Sequence, residues 1–201
     1  MFKQKKAFTL IEIIIVVAIV TYIMSMVLFN YISFNDKLSL AAAGKELLIA
    51  VRQAQSYGIN VREVTKDTGD FSRAYGIYFY PASSPSSYYI FVDKNGDELY
   101  NDSLGSCISS GECVEKVDLR NNVTMASFSL VGSNCPASNS ARDLYITFRR
   151  PNPDTVVYYT NPGGKIKSCP TTTNVTQIVL TSSRGTVLTI SIDPTGQVSM
   201  Q

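Results

Sequence analysis

Lys5-Lys6-Ala7-Phe8-Thr9-Leu10-Ile11-Glu12 runs directly into Ile13-Ile14-Ile15-Val16-Val17-Ala18-Ile19-Val20, and the reading of this junction decides the fold. From Phe8 to Phe29 there are 22 residues whose only charged side chain is Glu12. Such a run is long enough, as a helix, to cross a hydrocarbon core of about 30 Å. An acidic side chain inside it costs roughly 2.5–3.5 kcal/mol on insertion scales, so Glu12 calls for a partner. Lys3, Lys5 and Lys6 precede the apolar run with no acid among them. The positive-inside rule therefore keeps the N-terminus in the cytoplasm and sends the bulk of the chain outward.

A secretory signal would carry an apolar region of about 7–15 residues closed by a small-residue cleavage site. Here the run is longer and continues into amphipathic helix. The small residue, Ala7, stands before it, where cleavage removes the charged leader and keeps the hydrophobic segment. This arrangement, and Lys6-Ala7-Phe8-Thr9-Leu10-Ile11-Glu12 in particular, resembles the class III signal of the type IV pilin and pseudopilin superfamily. The resemblance implies that a prepilin peptidase cuts between Ala7 and Phe8, that the Phe8 amine is N-methylated, and that Glu12 becomes the fifth mature residue. The family usually has Gly where Ala7 stands. Independently of the family, a carboxylate one turn from a new cationic N-terminus can pair with the amine of a neighbouring subunit, so that neither charge is alone in lipid or in a filament core. The competing reading is a plain signal-anchor whose Glu12 snorkels to the headgroups.

Beyond the membrane run, Leu40, Ala43, Leu47, Ala50, Val51, Ala54 and Gly58 recur at the 3–4 spacing of one helical face. No Gly or Pro falls between Phe8 and Ala43, so the helix is expected to run unbroken to the Tyr57-Gly58 region, with Gly58 as its C-terminal cap. That is about 75 Å of helix at 1.5 Å per residue. Ser33-Phe34-Asn35-Asp36 is a stretch that would loosen it locally. Ala41-Ala42-Ala43-Gly44 permits close approach of another backbone, most economically that of the sheet.

From Phe71 onward the pattern changes to β-branched and aromatic runs separated by turn residues. Strands are predicted at 74–80, 88–92, 123–130, 144–149, 156–159, 176–181, 187–192 and 197–200. A final hairpin turns at Ser182-Ser183-Arg184-Gly185. The fold class is α+β and pilin-like: one long N-terminal α-helix, its first half membrane-spanning, packed on an antiparallel β-sheet domain. The organisation is a leader at 1–7, a transmembrane or filament-core segment at 8–29, an amphipathic continuation at 30–60 and a β-rich extracytoplasmic domain at 61–201. Leu40 to Val61, Phe91 to Asp97 and the closing Ile178 to Val198 resemble H-type minor pseudopilins of type II secretion and T-type minor pilins of type IV pili.

Cys107, Cys113, Cys135 and Cys169 all follow the apolar segment, where an oxidising exterior permits two disulfides. Nearest-neighbour closure, Cys107 with Cys113 and Cys135 with Cys169, is the preferred pairing of three. A zinc site is disfavoured because the chain has no His and no C-x-x-C pair. Removing the three leader lysines from 18 basic side chains leaves 15 against 16 acidic ones, a formal −1, which argues against a globally basic nucleic-acid-binding domain. Arg142, Arg149, Arg150, Lys165, Lys167 and Arg184 would form a local patch only if the fold converged them. The resemblance to T-type minor pilins makes Arg184 the candidate DNA contact; a solvated surface is the simpler reading.

Asp93-Lys94-Asn95-Gly96-Asp97 starts like a calcium loop, but Glu98 stands where an EF-hand wants Gly and Leu104 where it wants a bidentate Glu. A hairpin turn at Asn95-Gly96, between Phe91-Val92 and Leu99-Tyr100, is preferred. Gly163-Gly164-Lys165 lacks P-loop spacing. No nucleophile–base constellation is visible, so neither catalysis nor a cofactor is expected. The resemblance implies a minor pilin or pseudopilin of the bacterial inner membrane that passes into a pilus or pseudopilus. Its partners would be the prepilin peptidase, other subunits, the inner-membrane assembly platform and the lipid bilayer, with DNA or secreted cargo as further candidates. A non-polymerising anchored adhesin is the alternative.

Overall fold

The computed structural model describes residues 8–60, 73–82, 84–103, 107, 111–132, 143–149, 154–160, 164–169 and 174–201. Helix α1 spans Leu10–Ile59, 50 residues, or about 75 Å. It begins two residues later than Phe8 because Thr9 caps it: the Thr9 hydroxyl accepts from the Glu12 backbone N–H at 3.4 Å, and the Thr9 carbonyl from the Glu12 and Ile13 N–H groups. Ser33–Asp36 does not loosen it. Hydroxyls inside the apolar half are satisfied locally, Thr21 donating to the Val17 carbonyl and Ser25 to that of Tyr22.

The two halves of α1 meet different surroundings. Large apolar side chains from Phe8 to Leu28 are 47–77 % exposed. The second half buries the face read from the sequence: Leu40, Ala43, Leu47, Ala50, Val51 and Ala54 all lie in the main core. Gly58 corrects an expectation. It is not a left-handed cap; the helix continues to Ile59 and stops at Asn60, whose backbone is extended and whose N–H bonds the Ser56 carbonyl. A Cβ on Gly58 would stand 2.5 Å from the Phe148 carbonyl oxygen, so the glycine is there to let the helix touch the sheet backbone. Gly44 makes room instead for the side chains of Leu188 and Met200, which is the sheet-packing role expected of the Ala41–Gly44 patch.

Ten strands follow: β1 (Tyr75–Phe79), β2 (Ser87–Val92), β3 (Cys113–Asp118), β4 (Thr124–Val131), β5 (Leu144–Phe148), β6 (Thr155–Thr160), β7 (Ile166–Cys169), β8 (Val175–Thr181), β9 (Val187–Ile192) and β10 (Val198–Met200). They form two antiparallel sheets, one ordered β3-β2-β1-β5-β6-β7 and the other β10-β9-β8-β4. The helix lies against β1 and β5 of the first and β8, β9 and β10 of the second, with the main core between them. The α+β class expected from the sequence is therefore present. So is the β8–β9 turn, where the Ser182 N–H bonds the Thr186 carbonyl at 2.9 Å.

Two strands were not predicted, β3 and β7. Both are outer edges of the larger sheet. Cys-Val-Glu-Lys-Val-Asp and Ile-Lys-Ser-Cys carry charges that blunt an exposed edge, and those charges erase the apolar alternation by which a strand is recognised. The expected hairpin at Asn95-Gly96 is absent. After β2 the chain stays in a bend-rich loop through Leu99 and Tyr100, and β2 pairs instead with β3, Ser87 opposite Asp118.

If Gly58 were an ordinary helical position, Ala would stabilise the fold by about 1 kcal/mol through propensity. Contact with the Phe148 backbone predicts the reverse: Gly58→Ala should destabilise by about 1–3 kcal/mol, measured as a lower urea midpoint in detergent by near-ultraviolet circular dichroism.

Candidate functional site

The exposed end of α1 carries the residues the sequence singled out. Phe8 and Glu12 lie on one helical face and border the same shallow apolar groove with Ile13, Val16 and Val17. Glu12 is exposed, and its carboxylate makes no hydrogen bond or ion pair among the described residues. Ala7 lies outside the described residues. What this end offers chemically is a continuous apolar cylinder with one unneutralised acid in its first turn.

On the far side of the larger sheet the structure holds a feature the sequence reading missed. Tyr89, Tyr78, Tyr145 and Tyr158 stand in register on four adjacent strands, Tyr78 opposite both Tyr89 and Tyr145, and Tyr145 opposite Tyr158. Ile77, Ile146 and Val157, one residue away on the same strands, face the helix instead. Period-two alternation in Tyr75–Phe79, Tyr88–Val92 and Leu144–Phe148 held that signal: aromatics occupy the face that solvent would otherwise wet. Tyr100 closes the row from above, with ring centroids 4.9 Å from Tyr78 and 5.4 Å from Tyr89. The Tyr78 hydroxyl donates to Asp143 at 3.0 Å, and the Tyr158 hydroxyl to Glu98 at 2.8 Å.

The loop that starts at Asp93 lies against this row through Tyr100 and accounts for the calcium-like residues. Buried Asp93 accepts the backbone N–H groups of Gly96 and Glu98, at 2.6 and 2.9 Å. Asn95 accepts from Asp97, and Asp97 from Leu99. Glu112 takes Lys94 N–H on one oxygen and Asn101 N–H on the other, while burial pushes its pKa up. The carboxylates thus fold the loop itself, and among the described residues no group of three ligands could hold a metal ion. Cys107 and Cys113 are joined in the expected disulfide, which ties the loop to the start of β3. Cys169 is also disulfide-bonded and buried in the main core; Cys135 lies outside the described residues.

Among the described residues, Arg149 and Arg184 lie far apart. Arg149 is neutralised by Glu98 at 3.3 Å, beside the Gly58 end of the helix. Arg184 sits exposed in the β8–β9 turn, which is held to Asp36 by the Ser182 hydroxyl at 2.8 Å and the Thr186 hydroxyl at 2.9 Å. Along α1 those two points are about 33 Å apart. Lys165 is exposed just before edge strand β7, whose backbone includes Lys167, and Arg142 and Arg150 lie outside the described residues.

Burial raises the pKa of Tyr78, with Asp143 adding to the effect, and that of Tyr88. It pushes Tyr100, Tyr145 and Tyr158 up to about 12. A phenol in the unfolded chain ionises near pH 10. The folded form therefore keeps its full stability below about pH 10 and loses it as pH rises toward 12, because only the unfolded chain gains from ionisation in that window. Alkaline titration followed by phenolate absorbance should show these tyrosines ionising together with unfolding. No protein-family model, curated protein or solved structure matches the chain, so its function is argued from its own residues.

Proposed function

We propose that this chain is a minor pilin or pseudopilin: a membrane-held precursor, trimmed between Ala7 and Phe8, that enters a short extracytoplasmic filament of a type II secretion or type IV pilus machine. The observation that carries the proposal is the division of α1. A helix long and apolar enough to span a membrane leaves its first half wholly exposed, while its second half is built into the β domain. A lone soluble domain gains nothing from such a surface, since a contiguous apolar patch of this extent marks an interaction with lipid or protein. In the bilayer the apolar half is solvated by lipid; in a filament it packs against the same half of neighbouring subunits. Glu12 supplies what apolar packing lacks, a fixed axial register, by meeting the Phe8 amine of an adjoining subunit. The β domain then stands outward, available to other minor subunits or to cargo.

The separation of Arg149 from Arg184 and the neutralisation of Arg149 give no assembled basic surface among the described residues, so the DNA-uptake variant of this reading has no specific support. The adhesin alternative is separated by the mature N-terminus: intact mass of the membrane-extracted protein should correspond to a chain beginning at methylated Phe8, and a retained leader would favour a plain anchor. Glu12→Gln should be trimmed normally yet incorporated far less, about a hundredfold if an unpaired buried charge costs about 3 kcal/mol. Equal recovery of both forms in sheared filaments would remove the register role.

A further inference from the structure

We propose that the β8–β9 turn, Ser182–Thr186, rests on the headgroup layer of the bilayer that α1 spans, with Arg184 and Lys37 on lipid phosphates. The inference rests on the membrane-spanning part of the function proposed above and not on filament assembly. Asp36 fixes the turn on the helix through the Ser182 and Thr186 hydroxyls, both on the same carboxylate oxygen. Asp36, the first charged residue after Glu12, lies seven residues past Phe29, the end of the apolar run, hence about 10 Å beyond the hydrocarbon. The headgroup region on each side is about 5–8 Å deep, so the turn is held at its outer surface.

The direction of the turn follows from β9. Thr186 is at Asp36, and two residues later Leu188 packs on Gly44, two helical turns farther from the apolar segment. The strand therefore leads away from the bilayer, and the tip at Ser183, Arg184 and Gly185 faces it. Among the described residues nothing packs on that tip: all three residues are exposed, and Gly185, at φ +81°, has open space around it. The chemistry at this level suits an interface. Lys37 and Arg184 are exposed and form no ion pair among the described residues, Tyr31 and Phe34 stand out from the helix just below, and Val187 and Leu38 are exposed beside them. Aromatic rings and snorkelling basic side chains are the groups that settle at headgroup depth.

The test uses the full chain in vesicles containing phosphatidylglycerol, with benzoylphenylalanine placed at Ser183 or, for comparison, at Thr195. Thr195 is exposed in the β9–β10 turn, about 20 Å farther along the strand. After irradiation and a carbonate wash, intact mass should show lipid adducts from position 183 and few from 195. The adduct should fall about fivefold in Arg184→Ala or Lys37→Ala, and likewise in pure phosphatidylcholine. Chain retained in the vesicles without adduct at 183, or with equal adduct at both positions, overturns the lipid contact alone. Chain washed out by carbonate overturns the membrane-spanning reading and this contact with it. If Arg184→Ala leaves the adduct unchanged but abolishes retardation of duplex DNA by the same vesicles, Arg184 is a nucleic-acid contact and the lipid assignment falls.

Discussion

Burial of one face of α1 beneath two sheets is the constraint to which the rest of the molecule conforms. Leu47, Val51 and Ala54 are fully buried, and the core they belong to takes in residues of both sheets. Because the helix reaches β5 at Gly58 and β9 and β10 at Gly44, the small residues at those points set how closely sheet and helix approach. A domain of about 140 residues has enough apolar surface for one core, and here that core is the seam along half a helix. The large apolar side chains of the other half are exposed among the described residues, and just beyond them Asp36 ties the domain to the helix through Ser182 and Thr186.

How much of this was legible depends on how many faces of an element are buried. Inner strands announced themselves: β1, β5, β8 and β9 carry apolar residues at period two, and each was placed within a residue or two. The helix face was legible for the same reason at period 3.6. Edge strands were not, because Glu115, Lys116 and Asp118 in β3, and the lysine in β7, protect an unpaired edge with the residues that mark a loop elsewhere. Gly58 misled in an instructive way. A glycine near a helix end reads locally as a cap, whereas here a neighbour 90 residues away in sequence requires it, and no local pattern carries that information.

The loop after β2 shows the same limit in polar residues. Asp93, Asn95 and Asp97 alternate as metal ligands or turn formers do, and sequence alone cannot separate the two. The deciding facts are tertiary: each oxygen-bearing side chain already accepts a backbone N–H of its own loop, and Glu112, distant in sequence, closes the ends by taking Lys94 and Asn101. Glu98, at φ +62°, pays a backbone cost that its bonds to Tyr158 and Arg149 offset. The result is a second, smaller core of tyrosines roofed by that loop. It turns the outer face of the sheet into packed interior, which is why β1, β2 and β5 are buried along both faces.

Glu12 needs the most careful weighing, because two roles fit its position. Thr9-x-x-Glu12 has the spacing of a capping box, and the Thr9 side of that box is formed. An acid in the first turn also suits the helix dipole, which favours it by about 0.3–1 kcal/mol. If that were its whole purpose, the arrangement would be a poor one: insertion of an acid into the apolar run costs roughly 2.5–3.5 kcal/mol, several times what the dipole returns, and Thr9 caps the helix through its own hydroxyl and carbonyl. The deficit of about 2 kcal/mol or more, left by those same two terms, has to be met from outside the helix. Among the described residues nothing meets it, and in the function proposed above it would be met by a cation from a second subunit, whose charge and depth both match.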